Sequence, residues 1–295
     1  MDLQVIQNFT SVCLSAQLYN KHIVTKENHV SMNIIVCAKQ VIDPDTPASA
    51  FNVDENALRV VPAQGIPPVV NGFCENAVEA ALKIKETLGD ATITVLSVGN
   101  EFVMDVMKKP LSMGADQMVL IQDESCANLD ALSTVKLLTA AIKKIGEFDI
   151  VICGQQASDW DNAHVPLGLS ETLGLPCLTE ASKIEIDNGS VRVNSSRSDG
   201  YEVFESSLPA LITVNNQIGE PRYPTLRGIM QASRKTPDIL TISDLGLDSE
   251  ELKPALTLTE LFIPVSDKQC EIIEGEDEAD SGRLLAMRLR EEKII

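Results

Sequence analysis

Short apolar runs alternate with stretches of helical periodicity from Asn33 to Gly174, and this alternation narrows the choice of fold more than any other feature of the chain. Ile34-Ile35-Val36-Cys37, Ala91 to Val98, Met118 to Ile121 and Asp149 to Cys153 are near-continuous apolar runs of strand length. Between them, Asn76 to Leu88 sets Ala77, Val78, Ala81, Leu82 and Leu88 on one helical face. Glu101 to Met113 reads as a second helix, and Leu129 to Ile145 repeats apolar residues every three or four positions. Ala163 to Leu173 is a further helix with Pro166 as a candidate break, closed by Gly174. Strands that are apolar throughout belong to parallel sheets covered on both faces. The pattern therefore predicts an α/β fold, a doubly wound, mainly parallel, Rossmann-like sheet.

Ligands of such sheets bind outside the carboxyl ends of the strands. The loops that matter are thus those after Cys37, Val98 and Cys153. Beyond about residue 180 the pattern changes. Lys183 to Ile186 and Val191 to Val193 flank Asp187-Asn188-Gly189, a hairpin signal, and Phe51 to Val61 has the look of an edge hairpin. A polar turn at Asp199-Gly200 leads into an apolar strand, Leu208 to Val214. A polar loop ending in Glu220-Pro221-Arg222-Tyr223 follows, then a helix from Thr225. Ile239 to Ile242 and Pro254 to Val265 read as strand regions, and Gly282 to Lys293 as a terminal helix. Residues 1–31 have weak periodicity and stand as a poorly ordered extension or the product of an early start. Residues 32–250 form the α/β domain, and 251–295 a C-terminal arm.

Composition removes several function classes. The net charge of −19 argues against nucleic acid as a partner, since binding the phosphate backbone draws on Lys and Arg. No run of 18 apolar residues is present, so no membrane span is predicted, and a cytoplasmic location is expected. The seven cysteines include no C-x-x-C pair and are read as reduced thiols, with Cys37 and Cys153 as small core residues. Three histidines, His22, His29 and His164, argue against a histidine metal site. There is no G-x-G-x-x-G, no P-loop, no Ser-His-Asp order and no paired-carboxylate pattern.

Three segments at strand ends can contribute to a site. Lys39 can neutralise a phosphate or stand as a solvent lysine. Asn71, opening the first long helix with Glu75 in its first turn, can cap that helix or help to form an anion or ribose site. Gly154-Gln155-Gln156-Ala157-Ser158-Asp159-Trp160-Asp161-Asn162 joins the most apolar strand to a helix with a glycine and many donors and acceptors, a composition suited to ribose and phosphates. Trp160, the one tryptophan, is either structural or a stacking surface.

Taken in order, several motifs resemble the β subunit of electron transfer flavoproteins over nearly the whole chain from Met32. M-N-I-I-V-C-A-K-Q-V-I-D is similar to the family's first strand. N-G-F-C-E-N-A-V-E at 71–79 resembles N-P-F-x-E-x-A-V-E, and M-G-A-D at 113–116 matches outright. G-Q-Q-A-S-D-W-D at 154–161 resembles G-K-Q-A-I-D-x-D, and D-G-Y-E-V-F-E-S-S-L-P-A-L-I-T at 199–213 follows the family signature. G-E-P-R-Y-P-T-L at 219–226 stands for N-E-P-R-Y-x-T-L. After Asp161 the chain departs from the family, with His164 in place of a glutamine and Pro166 in place of a glycine. Ala163 and Val165 lean towards electron-bifurcating members. Phe73-Cys74-Glu75 and Ala77-Val78-Glu79 lean towards simple carriers.

The resemblance implies an adenine-nucleotide-binding fold and an obligate heterodimer whose α subunit carries the working FAD, the C-terminal arm packing on that subunit. This chain would hold a structural AMP, or in bifurcating members a second FAD reduced by NADH. By position the nucleotide would contact Cys37, Asn71, Val98, Gly99, Gln156, Asp159, Asp161, Asn162, His164 and Val165. The loop 215–223 would dock an acyl-CoA dehydrogenase or related flavoenzyme, with Ile218 as an exposed apolar anchor beside Glu220, Pro221, Arg222 and Tyr223. No side chain of this chain would be catalytic and none would bind a metal. A stand-alone nucleotide-binding α/β protein is the third reading.

Overall fold

A computed structural model describes residues 31–265 and 270–295. The expected extension lies outside them apart from Ser31, as do Cys13, His22 and His29. The chain divides into two compact units, one of residues 31–51 with Pro62–Thr257, the other of Asn52–Val61 with Leu258–Ile295.

In the larger unit the strands are β1 (Met32–Cys37), β6 (Ala91–Gly99), β7 (Gln117–Gln122), β8 (Ile150–Gly154), β9 (Cys177–Asp187), β10 (Ser190–Arg197), β11 (Gly200–Ser207), β12 (Ala210–Val214) and β13 (Asp238–Leu240). Among the described residues these form one sheet in the order β11-β10-β9-β12-β8-β1-β6-β7-β13. Pairings from β9 to β13 are parallel; β9-β10 and β10-β11 are antiparallel. A short β2 (Gln40–Val41) pairs with β5 (Val69–Val70).

Two apolar layers explain why the strands read as continuous runs. Ile34, Val36, Ile150 and Ile152 face one core, and Ile35, Leu96, Val151 and Cys153 the other. Helix α1 (Gly72–Leu88) covers the first face with Ala77, Val78, Ala81, Leu82 and Ile84, and stops where Gly89 turns left-handed at φ 78° and donates to the Lys85 carbonyl. Helices α4 (Ala131–Ile145) and α5 (His164–Leu173) cover the second. A fully buried Leu or Ile contributes about 1.5–3 kcal/mol, so each face is a strong driving force.

Several elements differ from the sequence-based expectation. The helix expected over Glu101 to Met113 is two short ones, α2 (Met104–Met107) and α3 (Lys109–Met113), the second with a proline at its start. Pro166 does not break α5, because it is the third helical residue, where an amide proton has no partner within the helix. The hairpin-like turn expected at Asp199-Gly200 joins β10 to β11, and residues 200–207 form that edge strand. Its outward side chains hide the alternation. Pro254 to Val265 holds no strand. Ala255 and Leu256 instead donate their backbone N–H groups to Asp130 Oδ2, at 2.7 and 3.1 Å.

The smaller unit holds a two-stranded hairpin, β3 (Asn52–Asp54) with β4 (Arg59–Val61), which is a sheet of its own rather than an edge of the main one. Its helix α7 (Glu278–Glu291) is capped by Asp277, which accepts from the Asp280 N–H. Among the described residues no helix is long and apolar enough to cross a membrane.

Candidate functional site

The chain runs from β1 to β6 and β7 on one side, then returns to place β8 on the other. The β1/β8 pair is therefore the topological switch point, where a crevice opens at the strand ends. Cys37 and Cys153 sit opposite each other at the last pairing of β1 with β8. Val98 and Gly99 end the neighbouring β6.

Asn71 organises this crevice, though not as a helix cap. Its side chain makes no capping bond to α1. It is fully buried, donates Nδ2–H to the Gln156 carbonyl at 2.8 Å and accepts the Ser158 N–H at 3.1 Å. One amide thus pins the loop after β8 to the start of α1. Gly154 allows the approach, since a Cβ there would lie 2.7 Å from the Phe73 carbonyl carbon. Beyond Ser158 the loop is exposed. Gln156 Nε2–H donates to Asp161 Oδ1 at 2.9 Å, and Lys39 bridges to Asp159 at 2.6 Å.

The loop ends in a conformation that non-glycine residues seldom adopt. Asp161 and Ala163 both have positive φ, 50° and 53°. Such positions store strain and cluster at ligand clamps. Ala163 is the N-cap of α5 and offers no side-chain acceptor. The amides of His164 and Val165 at the start of α5 carry the positive end of the helix dipole toward the loop, a setting that favours an anionic group. His164, Asn162 and Trp160 are exposed and Val165 is half-buried.

The thiols beneath the loop are not nucleophiles. The hydrogen bond with Cys37, together with burial, pushes the Cys153 thiol up. Burial pushes Cys74 up in spite of the hydrogen bond from Asn71. Both stay protonated at neutral pH.

A second constellation lies along α1. Asn76, Glu79, Lys83 and Glu86 follow helical spacing and all bind the segment after β12. Asn76 Nδ2–H donates to the Gly219 carbonyl and Lys83 Nζ to that of Ile218, each at 2.9 Å. Glu79 accepts from Arg222 Nε at 2.8 Å, Nη2 at 3.0 Å and the backbone N–H at 3.1 Å. Glu86 takes the other edge of the guanidinium. The sequence reading missed this stripe, although its three-four-three spacing on an apolar helix was a visible signal.

The same segment corrects the expected anchor. Ile218 is only 9% exposed and packs in the core, held by the short 3-10 turn Asn216–Ile218. The exposed apolar residues follow it: Tyr223 at 94%, Leu226 at 76%, and Ile229 and Met230 at about half. The last three lie on α6 (Leu226–Arg234), capped by Thr225 through the Gly228 N–H. Leu226, Arg227, Met230, Gln231 and Arg234 line a shallow depression of about 510 Å³.

Comparison with known proteins gives this arrangement a family. The electron transfer flavoprotein domain model matches residues 59–245. The electron transfer flavoprotein β subunit of Megasphaera elsdenii is 38% identical over 227 residues, covering 75% of this chain and 82% of that one. The chain belongs to the electron transfer flavoprotein β-subunit family. A subunit named for the caffeyl-CoA reductase-Etf complex of Acetobacterium woodii is 33% identical over 90% of this chain and all of its own. The β subunit of Bacillus subtilis is 31% identical over the same shares.

Membership in the electron transfer flavoprotein β-subunit family implies electron transfer with flavin association and an α-subunit partner. The residues expected to bind a nucleotide divide into two sets. Cys37, Asn71, Val98, Gly99 and Gln156 lie at the strand ends around the switch point, while Asp159, Asp161, Asn162, His164 and Val165 belong to the exposed loop and the first turn of α5. The donor set fits a phosphate and ribose: free helix amides, Lys39 nearby, and carboxylate and amide oxygens for hydroxyls.

Proposed function

We propose that this chain is the nucleotide-holding β subunit of a heterodimeric electron carrier. An adenine nucleotide lies in the crevice at the ends of β1, β6 and β8, its phosphate at the start of α5. The FAD of the α subunit supplies the electron transfer. This chain contributes binding, orientation and a docking surface. The observation that carries this reading is the buried Asn71 side chain. It ties the strained loop after β8 to the start of α1 at the switch point, without a capping bond to the helix backbone.

The docking surface for an acyl-CoA dehydrogenase or related flavoenzyme is the face formed by Tyr223, Leu226 and Met230. Exposed Tyr223, with the exposed aliphatic Leu226 and Met230 that line a shallow depression, suits a transient contact. Arg227 and Arg234 at its rim favour an acidic partner surface. Residues 251–295, with Phe262, Ile263, Leu285 and Met287 exposed, are the arm that meets the α subunit.

The test is to co-express the chain with its α subunit, purify the complex and extract its nucleotides. One FAD and one AMP per heterodimer is the expected result for a simple carrier. Two FAD would convert the reading to the bifurcating, NADH-oxidising type, which Ala163 and Val165 favour. Separate elution of the two chains without nucleotide would sink both. For the docking face, Leu226→Ser should raise the KM for the carrier in an acyl-CoA dehydrogenase assay and leave the extracted nucleotide unchanged.

A further inference from the structure

We infer that Glu79 is a positioning residue for partner docking. Through Arg222, its buried carboxylate fixes the angle at which the exposed face of residues 223–230 is presented. The inference rests on the docking face proposed above.

The chain leaves β12, enters the 3-10 turn and must then deliver Tyr223 and α6 to the surface. Main-chain grips set its path. Asn76 and Lys83 hold the carbonyls of Gly219 and Ile218, and Glu79 holds the backbone N–H of Arg222. Grips on the main chain dictate direction whatever the neighbouring side chains are. Tyr223 is the next residue, and it is 94% exposed.

Of the three charged α1 side chains in this stripe, Glu79 is the buried one, with the neutral Asn76 buried a turn before it. The Glu79 side chain is 5% exposed, against 59% for Glu86. It takes two guanidinium nitrogens and the amide of the same residue, which leaves Arg222 one orientation. A buried ion pair contributes little net stability over a well-packed apolar pair, because desolvation offsets the attraction. What the bidentate pair supplies is geometry.

On its far side α6 is held by close backbone packing. A Cβ on Gly228 would lie 2.3 Å from the Ser112 carbonyl oxygen, and Ala232 is buried. Lys235 Nζ donates to the carbonyls of Ala115 and Asp116. The docking face is therefore suspended between two fixed points, the Glu79–Arg222 pair before it and the α3 contact beneath it.

The test uses the intact heterodimer, with a short-chain acyl-CoA dehydrogenase and butyryl-CoA as the probe. Glu79→Gln should raise the KM for the carrier about tenfold, the loss of one well-placed anchor, with kcat and extracted nucleotide unchanged. Glu79→Asp, which keeps the charge on a shorter arm, should recover part of that loss. The double variant Glu79→Met with Arg222→Leu should melt within a few degrees of the wild type and still show the raised KM; a purely structural role would leave KM alone. Should Glu79→Gln fail to assemble, Arg222→Lys carries the same expectation, because it keeps the charge and loses the fork. A raised KM in Leu226→Ser with an unchanged KM in the Glu79 variants overturns this inference alone. An unchanged KM in Leu226→Ser as well overturns the docking-face reading and this inference with it.

Discussion

The Glu79 carboxylate holds three donors of Arg222, a residue 143 positions further along the chain. Burial alone would push the Glu79 carboxyl up. The hydrogen bonds and charge of Arg222 outweigh it and hold the carboxyl below its ordinary value of 4.5. The same bonds push the Arg222 guanidinium up, so it stays charged at every accessible pH.

This sets an acid-stability prediction. A carboxyl with a lowered folded pKa contributes stability that is complete above its unfolded pKa and is lost as the pH falls through the folded value. Thermal melts of the wild type should therefore drop between about pH 5 and pH 3 by more than those of Glu79→Gln, which has no such group to protonate. Parallel curves for the two proteins would show that the pair contributes nothing to folding. At neutral pH Glu79→Ala should cost about 2 kcal/mol, less than for a fully buried pair because Arg222 is one-third exposed and can rehydrate.

Two glycines separate close approach from mere tightness. At Gly154 an added Cβ meets the Phe73 main chain at 2.7 Å, which cannot yield without shifting α1. At Gly168 it meets only the Val135 Cγ2 at 3.0 Å, a side chain that can turn. Gly154→Ala should lose about 2–3 kcal/mol and shed its nucleotide, while Gly168→Ala should lose less than about 1 kcal/mol and keep it. Unfolding in denaturant and nucleotide extraction read both. Equal losses would mean that the start of α1 is free to move.

The parallel sheet was legible in the sequence because burial on both faces leaves an unbroken apolar record, as in Ile34 to Cys37 and Ile150 to Cys153. The hairpin at Asn188-Gly189 was legible because its turn needs two left-handed residues, and both have positive φ. What the sequence hid depends on distant partners. Asn71 reads as a cap until the loop 85 residues away is seen to take its amide. Ile218 is expected to be exposed because it stands where the resemblance places an apolar anchor, yet it packs in the core with its carbonyl held by Lys83. The length of strand β11 is hidden because Tyr201, Val203 and Phe204 are all exposed, so no inside-outside alternation marks it.

Trp160 offers a direct probe of the loop. It is the one tryptophan of the chain and is 54% exposed between Asp159 and Asp161. If a nucleotide occupies the crevice, adding AMP to nucleotide-stripped heterodimer should change tryptophan emission, and Trp160→Phe should abolish that change. A response that survives Trp160→Phe would place the binding event away from this loop.

Asn71 allows the sharpest test of the crevice, because its two neighbours need opposite things from it. The Gln156 carbonyl needs a donor and the Ser158 N–H an acceptor, in a site with no solvent access. Asn71→Ala leaves both unpaired, costing about 2–4 kcal/mol at any pH, with loss of nucleotide. Asn71→Asp keeps the acceptor but, when ionised, sets a buried carboxylate against a carbonyl. Burial raises the pKa of that carboxyl. Once protonated it can donate to Gln156 and restore the asparagine pattern. Its folded pKa being raised, the regained stability belongs to low pH and is lost as pH rises through that value. The melting gap between Asn71→Asp and the wild type should therefore close from about pH 8 to pH 5, while the gap for Asn71→Ala stays constant. A gap for Asn71→Asp that does not depend on pH would mean that the loop has let go of residue 71 and that water has entered the crevice.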